Sequence, residues 1–271
     1  MILSLSEIST VGATFEEDVK AYSAAGFDAI GLWEFKLPED DDANIALLRE
    51  YGLGVAVCVP AVPSILQLAI PGMEGPADPG DRIAALCASV SRLAAYDPEC
   101  IACLTGPLGG RSIEEGFEVV TGGLALVAEA AHSAAVRVGF EPIHVSQRES
   151  AGFVHTLADT DLLLATVGSH EIGVLIDTYH VWDDPMVLSW IAANPDRIAG
   201  VHVCDWPSRD RTDRVLPGDG ISQTGVIIAA LAAAGWEGAL DVEIFSTPEL
   251  FWGLPVDEAA RAAYAAISAL A

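Results

Sequence analysis

The sequence predicts an α/β chain folded as one closed (β/α)8 barrel, a single domain over residues 1–271. Three observations carry that reading. Short apolar runs alternate with helix-length segments throughout. Eight such units of about thirty residues fit the chain length. No glycine-rich phosphate loop follows the first apolar run, where a doubly wound sheet often carries one.

The elements follow in order. Strand 1 is expected over residues 2–5, and a helix over 15–24. Thr14 and Glu17 have the spacing of a capping box, and Gly26 suits the residue after the helix end. Strand 2 covers 29–33, a helix 42–51 and strand 3 54–59. The Pro/Gly-rich stretch 60–80 reads as a loop over the barrel mouth. A helix over 82–95 and strand 4 over 100–104 come next. Ser112 and Glu115 form a second capping box for a long helix to residue 135. Strand 5 covers 137–141, a helix 156–167 and strand 6 173–177. Pro185 suits the first turn of the next helix, which Asp183 and Asp184 would cap. Strand 7 covers 198–204, a helix 224–234 ends at Gly235, strand 8 covers 239–244, and a last helix spans 256–270.

Composition narrows the function classes. The 271 residues are 52% hydrophobic, enough for a large core, and the net charge is −26 from 13 basic and 39 acidic residues. Nucleic acid and anionic membranes are bound through Lys and Arg, so neither is an expected partner. The start, MILSLSEIST, lacks the basic and apolar regions of a signal peptide, and no apolar run of about 18 residues occurs. The five cysteines are an odd count with no disulfide-framework spacing, which fits a reducing cytoplasm. Cys100 and Cys103 form a lone CxxC inside an apolar run and read as core thiols. A homo-oligomer is compatible with this sequence.

Four polar residues stand at the ends of four successive expected strands: Glu141 in GFEP, Asp177 in LIDTYH, His202 in GVHVCDW and Glu243 in LDVEIF. A parallel barrel gathers such strand ends at one rim. Salt-bridged strand ends would explain any one of them. Together they put three carboxylates beside one imidazole, and a divalent cation resolves that excess of negative charge. The oxygen-rich donor set favours one Mn²⁺ or Mg²⁺, with Zn²⁺ or Co²⁺ as alternatives. Side chains alternate along a strand, so Glu141 shares a face with Gly139, Asp177 with Gly173, and Glu243 with Asp241. The two glycines would leave room for a metal or substrate.

The motifs GFEPIH, IDTYHVW, GVHVCDW, PGDGI and DVEIF, in this order along the whole chain, resemble those of the xylose isomerase-like TIM barrels, the sugar phosphate isomerase/epimerase superfamily. Inosose isomerases, ketose 3-epimerases, dehydratases and endonuclease IV share that resemblance. It implies that Glu141, Asp177, His202 and Glu243 bind the metal. It also implies that Glu141 and Glu243 act as the acid/base pair on opposite faces of the substrate. The expected reaction moves a proton α to the carbonyl of a small polyhydroxylated ketone, a ketose or inosose, through an enediolate. Loss of a β-hydroxyl on the same scaffold would instead give a dehydratase of the inosose or 3-dehydroshikimate type. A binder without turnover would not need both glutamates. Endonuclease IV chemistry needs further histidines, and strands 2–4 and the SRDRTDR loop contain none.

The resemblance places His180, in the DxxH of strand 6, against the substrate. It also places a substrate-contacting arginine soon after His202; Arg209 is the choice, but the spacing is irregular and Arg211 or Arg214 would serve as well. Trp33 and Lys36, one of two lysines, would reach the rim after strand 2. Gln147 stands where some epimerases carry a carboxylate, which weakens a specific ketose 3-epimerase assignment. Trp182 and Trp206 could form apolar walls for a sugar. With few basic residues at the rim, a neutral sugar or cyclitol is the expected partner.

Overall fold

In the computed structural model, which describes residues 1–211 and 213–271, eight parallel strands close into a barrel in sequence order. The strands are β1 Ile2–Ser6, β2 Ala29–Trp33, β3 Gly54–Val59, β4 Cys100–Cys103, β5 Val138–Phe140, β6 Ile172–Asp177, β7 Ile198–Val203 and β8 Ala239–Val242. The barrel closes where β8 pairs with β1, from Ile2 opposite Ala239 to Leu5 opposite Val242. Around it lie α1 Phe15–Ala25, α2 Asp41–Tyr51, α3 Pro79–Leu93, α4 Ile113–Ala134, α5 Leu157–Val167, the short α6 Thr178–Val181, α7 Val187–Ala193, α8 Thr224–Ala233 and α9 Val256–Ser268. No described helix is long and apolar enough to cross a membrane.

Local chemistry sets the helix ends. Both capping boxes form, at Thr14–Glu17 and Ser112–Glu115. Gly26 ends α1 in the left-handed region at φ 104°. Asp78 accepts from the Gly80 and Asp81 N–H groups, so α3 starts at Pro79, earlier than the apolar pattern indicated. Pro185 does not open α7. It lies in the turn before it, where Asp184 accepts from the Met186 and Leu157 N–H groups. Asp183 instead faces His144 at 3.3 Å.

A belt of apolar side chains between strands and helices forms the main core, and a second cluster fills the barrel interior: Ile8, Trp33, Val57, Val59, Cys100, Ala102, Leu175 and Ala199. Cys100 belongs to the interior and Cys103 to the outer layer, as expected for an i, i+3 pair on a strand, and all five cysteines are free. Gly139 and Gly173 do not open space for a ligand. A Cβ on Gly139 would meet the Cys100 sulfur at 2.8 Å, and one on Gly173 would meet the Arg137 guanidinium at 2.5 Å. The glycines make room for neighbouring side chains deep in the barrel.

The segment after β3 lies across the mouth. Ser64 bridges to Leu104, and the Leu66 N–H donates to the Thr105 carbonyl. Buried Arg82 staples this loop by donating to the carbonyls of Ser64, Glu74 and Pro76. Every polar group of the guanidinium serves the fold.

Candidate metal centre and active site

The barrel brings the four strand-end residues together. Asp177 is the last residue of β6, His202 lies within β7, and Glu141 and Glu243 each follow a strand by one residue. All four are buried. His202 Nδ1 lies 3.2 Å from Glu141 Oε1 and 3.6 Å from Glu243 Oε2. Single ligand atoms of Glu141, Asp177 and His202 lie within 4.8 Å of one another. Glu141, His202 and Glu243 line a cavity of about 230 Å³ at the mouth.

The electrostatics are those of crowded acids. Burial pushes Glu141 up to about 7, against the pull of His202. Burial likewise raises Asp177, with Arg214 opposing. Burial disfavours charge on His202, yet Glu243, Glu141 and Asp241 outweigh it and lift the imidazole to about 10. A further carboxylate, Asp241, sits fully buried beneath His202 and is pushed up to about 7, chiefly by burial. Four carboxylates thus surround one arginine and one histidine. That oxygen-rich donor set, with one imidazole and ligand atoms already converged, fits a divalent cation.

Of the three arginines after β7, Arg214 enters the site. It donates to Asp177 Oδ2 at 2.8 Å and Glu243 Oε2 at 2.7 Å, and lies over the rings of Tyr179 and Phe245 at 4.5 and 4.9 Å. The loop is turned back by pairing of Asp205 with Val215, and the Arg214 N–H donates to the Phe245 carbonyl. Asp205 locks the turn by accepting from the N–H groups of Ser222 and Gly218. Arg209, the choice made on the resemblance, points outward. Its side chain is 72% exposed and lies over Trp182 at 4.7 Å. Arg211 pairs with Asp213 on the surface.

Other expected contacts divide. His180 lines the cavity, and its Nδ1 accepts from the His144 N–H at 3.1 Å. Burial and Arg214 push its pKa well down, so it is neutral; its Nε2 lies 3.5 Å from Arg214 Nη2 and 3.7 Å from Asp177 Oδ2. Trp33 and Gln147 also line the cavity. Lys36 does not. It is buried against Asp18 and donates to the carbonyls of Glu7 and Thr10. Its partners are too distant in sequence to be read from a strand-end position. Trp182 and Trp206 are absent from the lining; Trp206 stacks on Tyr179 at 4.6 Å and donates to its carbonyl. Trp33, Leu68, Met73 and Phe245 supply the apolar wall instead. Asp241 received no role from the sequence, although its alternation with Glu243 already placed it on the inner face.

A family model described as xylose isomerase-like TIM barrel matches residues 19–270. Among solved structures, a protein from Sinorhizobium meliloti 1021 is 27% identical, covering 99% of this chain and 98% of its own, with a TM-score of 0.86. The IOLI protein, solved with a bound zinc atom, is 18% identical over 100% of this chain and 98% of its own, with a TM-score of 0.80. An L-ribulose 3-epimerase is 20% identical, covering 99% and 94%, with a TM-score of 0.76. A search of curated proteins finds no match. With the closed barrel and a family match over most of its length, the chain belongs to the xylose isomerase-like TIM barrel family.

Proposed function

We propose that this protein is a divalent-metal-dependent isomerase or epimerase that moves a proton α to the carbonyl of a small polyhydroxylated ketone, a ketose or an inosose. The observation that carries the reading is the pair Glu141 and Glu243. Both line one cavity and flank His202 Nδ1 at 3.2 and 3.6 Å. Glu141, Asp177, His202 and Glu243 would hold the metal, which supplies Lewis-acid polarisation of the substrate's carbonyl and neighbouring hydroxyl oxygens. Mn²⁺ or Mg²⁺ suits the donor set, and the zinc of the IOLI structure keeps Zn²⁺ as an alternative.

The chain's own groups do the proton chemistry. Glu141 lines the cavity beside His202, where it can exchange a proton with a substrate. Glu243 is the second proton carrier. Return of the proton to the opposite face of the same carbon epimerises it, and return to the neighbouring carbon isomerises aldose and ketose. Neutral His180 lines the cavity, and Arg214 steadies Asp177 and Glu243. Arg214 is the one basic side chain other than histidine among the described cavity residues, and its two shortest contacts go to the carboxylates of Asp177 and Glu243. That supports a neutral sugar or cyclitol over a phosphate ester. Trp33, Leu68, Met73 and Phe245 suit the C–H face of such a substrate.

Proton NMR in D₂O of the Mg²⁺-loaded protein with ketoses, inososes and dehydroshikimate tests the reading. Deuterium at a carbon beside the carbonyl, with an isomeric product, is expected. Loss of water to give an enone would make the protein a dehydratase. No exchange with any member would contradict the proton-transfer reading.

A further inference from the structure

Asp241 is fully buried on β8, two residues before Glu243, and is not among the residues lining the cavity. Its Oδ1 accepts from Ser4 Oγ at 2.7 Å across the β8–β1 seam. Its Oδ2 has no hydrogen-bond partner, and neither has His202 Nε2. These two buried, unpartnered atoms face each other at 3.7 Å. The space for the carboxylate comes from Gly31 on β2, where a Cβ would stand 2.0 Å from Oδ2. Three strands thus build a seat for one carboxylate, behind the histidine.

His202 presents Nδ1 to Glu141 and Glu243 and Nε2 to Asp241. An imidazole that gives Nδ1 to a cation carries its proton on Nε2, and that N–H needs an acceptor. Among the described residues, no other acceptor lies within hydrogen-bond reach of that nitrogen. Closing the gap from 3.7 Å to a hydrogen bond takes a shift of about 0.8 Å. We propose that Asp241 is a positioning residue that accepts the His202 Nε2–H, fixes the tautomer and ring orientation that direct Nδ1 to the metal, and so sets the metal affinity of the site. This rests on His202 being a metal ligand, as proposed above.

The test is the apparent Kd for Mn²⁺ of the metal-free protein, read from the electron paramagnetic resonance signal of free Mn²⁺, with folding followed by circular dichroism. Asp241→Asn should weaken Mn²⁺ binding by roughly 10- to 100-fold while the protein stays folded. Ser4→Ala, which frees Oδ1 but keeps the carboxylate, should weaken it by about threefold, and serves if Asp241→Asn does not fold. Glu7→Gln, another buried carboxylate next to the mouth, should leave it within about twofold. A role confined to the β8–β1 seam would lower the melting temperature in both Asp241 and Ser4 variants without moving Kd, and would overturn the inference. If wild type binds Mn²⁺ and the folded variants bind equally well, only the role of Asp241 fails. If wild type shows no saturable binding, the metal reading fails and takes this inference with it.

Discussion

On the β1–β2 side of the barrel mouth, Glu7 and Asp18 are buried beside Lys36; on the β5–β8 side, Glu141, Asp177, Asp241 and Glu243 are buried beside Arg214 and His202. The first group is balanced in charge, although Glu7 Oε1 has no hydrogen-bond partner. Lys36 pairs with Asp18, Thr10 donates to Asp18, and Glu7 accepts from the Trp33 N–H while burial holds it up to about 8, so that it stays protonated. One acid remains charged, and one cation meets it. The second group does not balance. Four acids face two cationic side chains; Glu141 and Glu243 line a cavity, and ligand atoms of Glu141, Asp177 and His202 lie within 4.8 Å of one another. Buried carboxylates alone therefore do not mark a site. What distinguishes the two sides is negative charge left over after every protein cation is used.

Substitutions can break or sharpen that contrast. The largest effect is expected at Glu243→Gln, which should lower turnover by about 10³-fold or more with the fold intact, as judged by D₂O exchange kinetics and circular dichroism. Full activity would remove the two-carboxylate mechanism. On the balanced side, Lys36→Met strands Asp18 and should cost about 3–5 kcal/mol of stability in urea unfolding. It should leave Mn²⁺ affinity within about twofold, whereas a substrate contact for Lys36 would lower turnover with little loss of stability.

The Glu7 carboxyl gives a pH test. Burial raises it from 4.5 to about 8, so the folded protein keeps a proton that the unfolded chain gives up. Its contribution to stability is full below about pH 4.5 and is lost as pH rises toward 8. Glu7→Gln removes that dependence. Its melting temperature relative to wild type should climb by roughly 2 °C per pH unit between about pH 5 and 8. A flat difference would mean that Glu7 ionises inside the fold. The smallest effect belongs to Arg209→Ala, expected to change turnover less than about twofold because the side chain lies on the surface. A loss above tenfold there would move the arginine role back to Arg209.

The sequence made the barrel and its four convergent residues legible for the same reason. Strand-length apolar runs mark where each strand stops, and a parallel barrel puts all those stops at one end. Glu141, Asp177, His202 and Glu243 needed no further information to be brought together. Arg214 did need it. Three arginines share one irregular loop, and which one turns inward is decided by the pairing of Asp205 with Val215 and by the Phe245 carbonyl, contacts remote in sequence. Lys36 was misplaced for a related reason, since Asp18 lies in the preceding helix. Gly139 and Gly173 show the limit of alternation. It gives the face of a residue but not the neighbour that fills the space, here Cys100 and Arg137.

The most direct measurement is a Mn²⁺ titration of the metal-free protein by calorimetry, run on wild type, Asp177→Asn and Lys36→Met. The expected result is one site per chain in wild type, affinity lower by about 100-fold or more in Asp177→Asn, and affinity within about twofold of wild type in Lys36→Met. Absence of saturable binding in wild type, or undiminished binding in Asp177→Asn, would contradict the assignment of the uncompensated side as a metal centre.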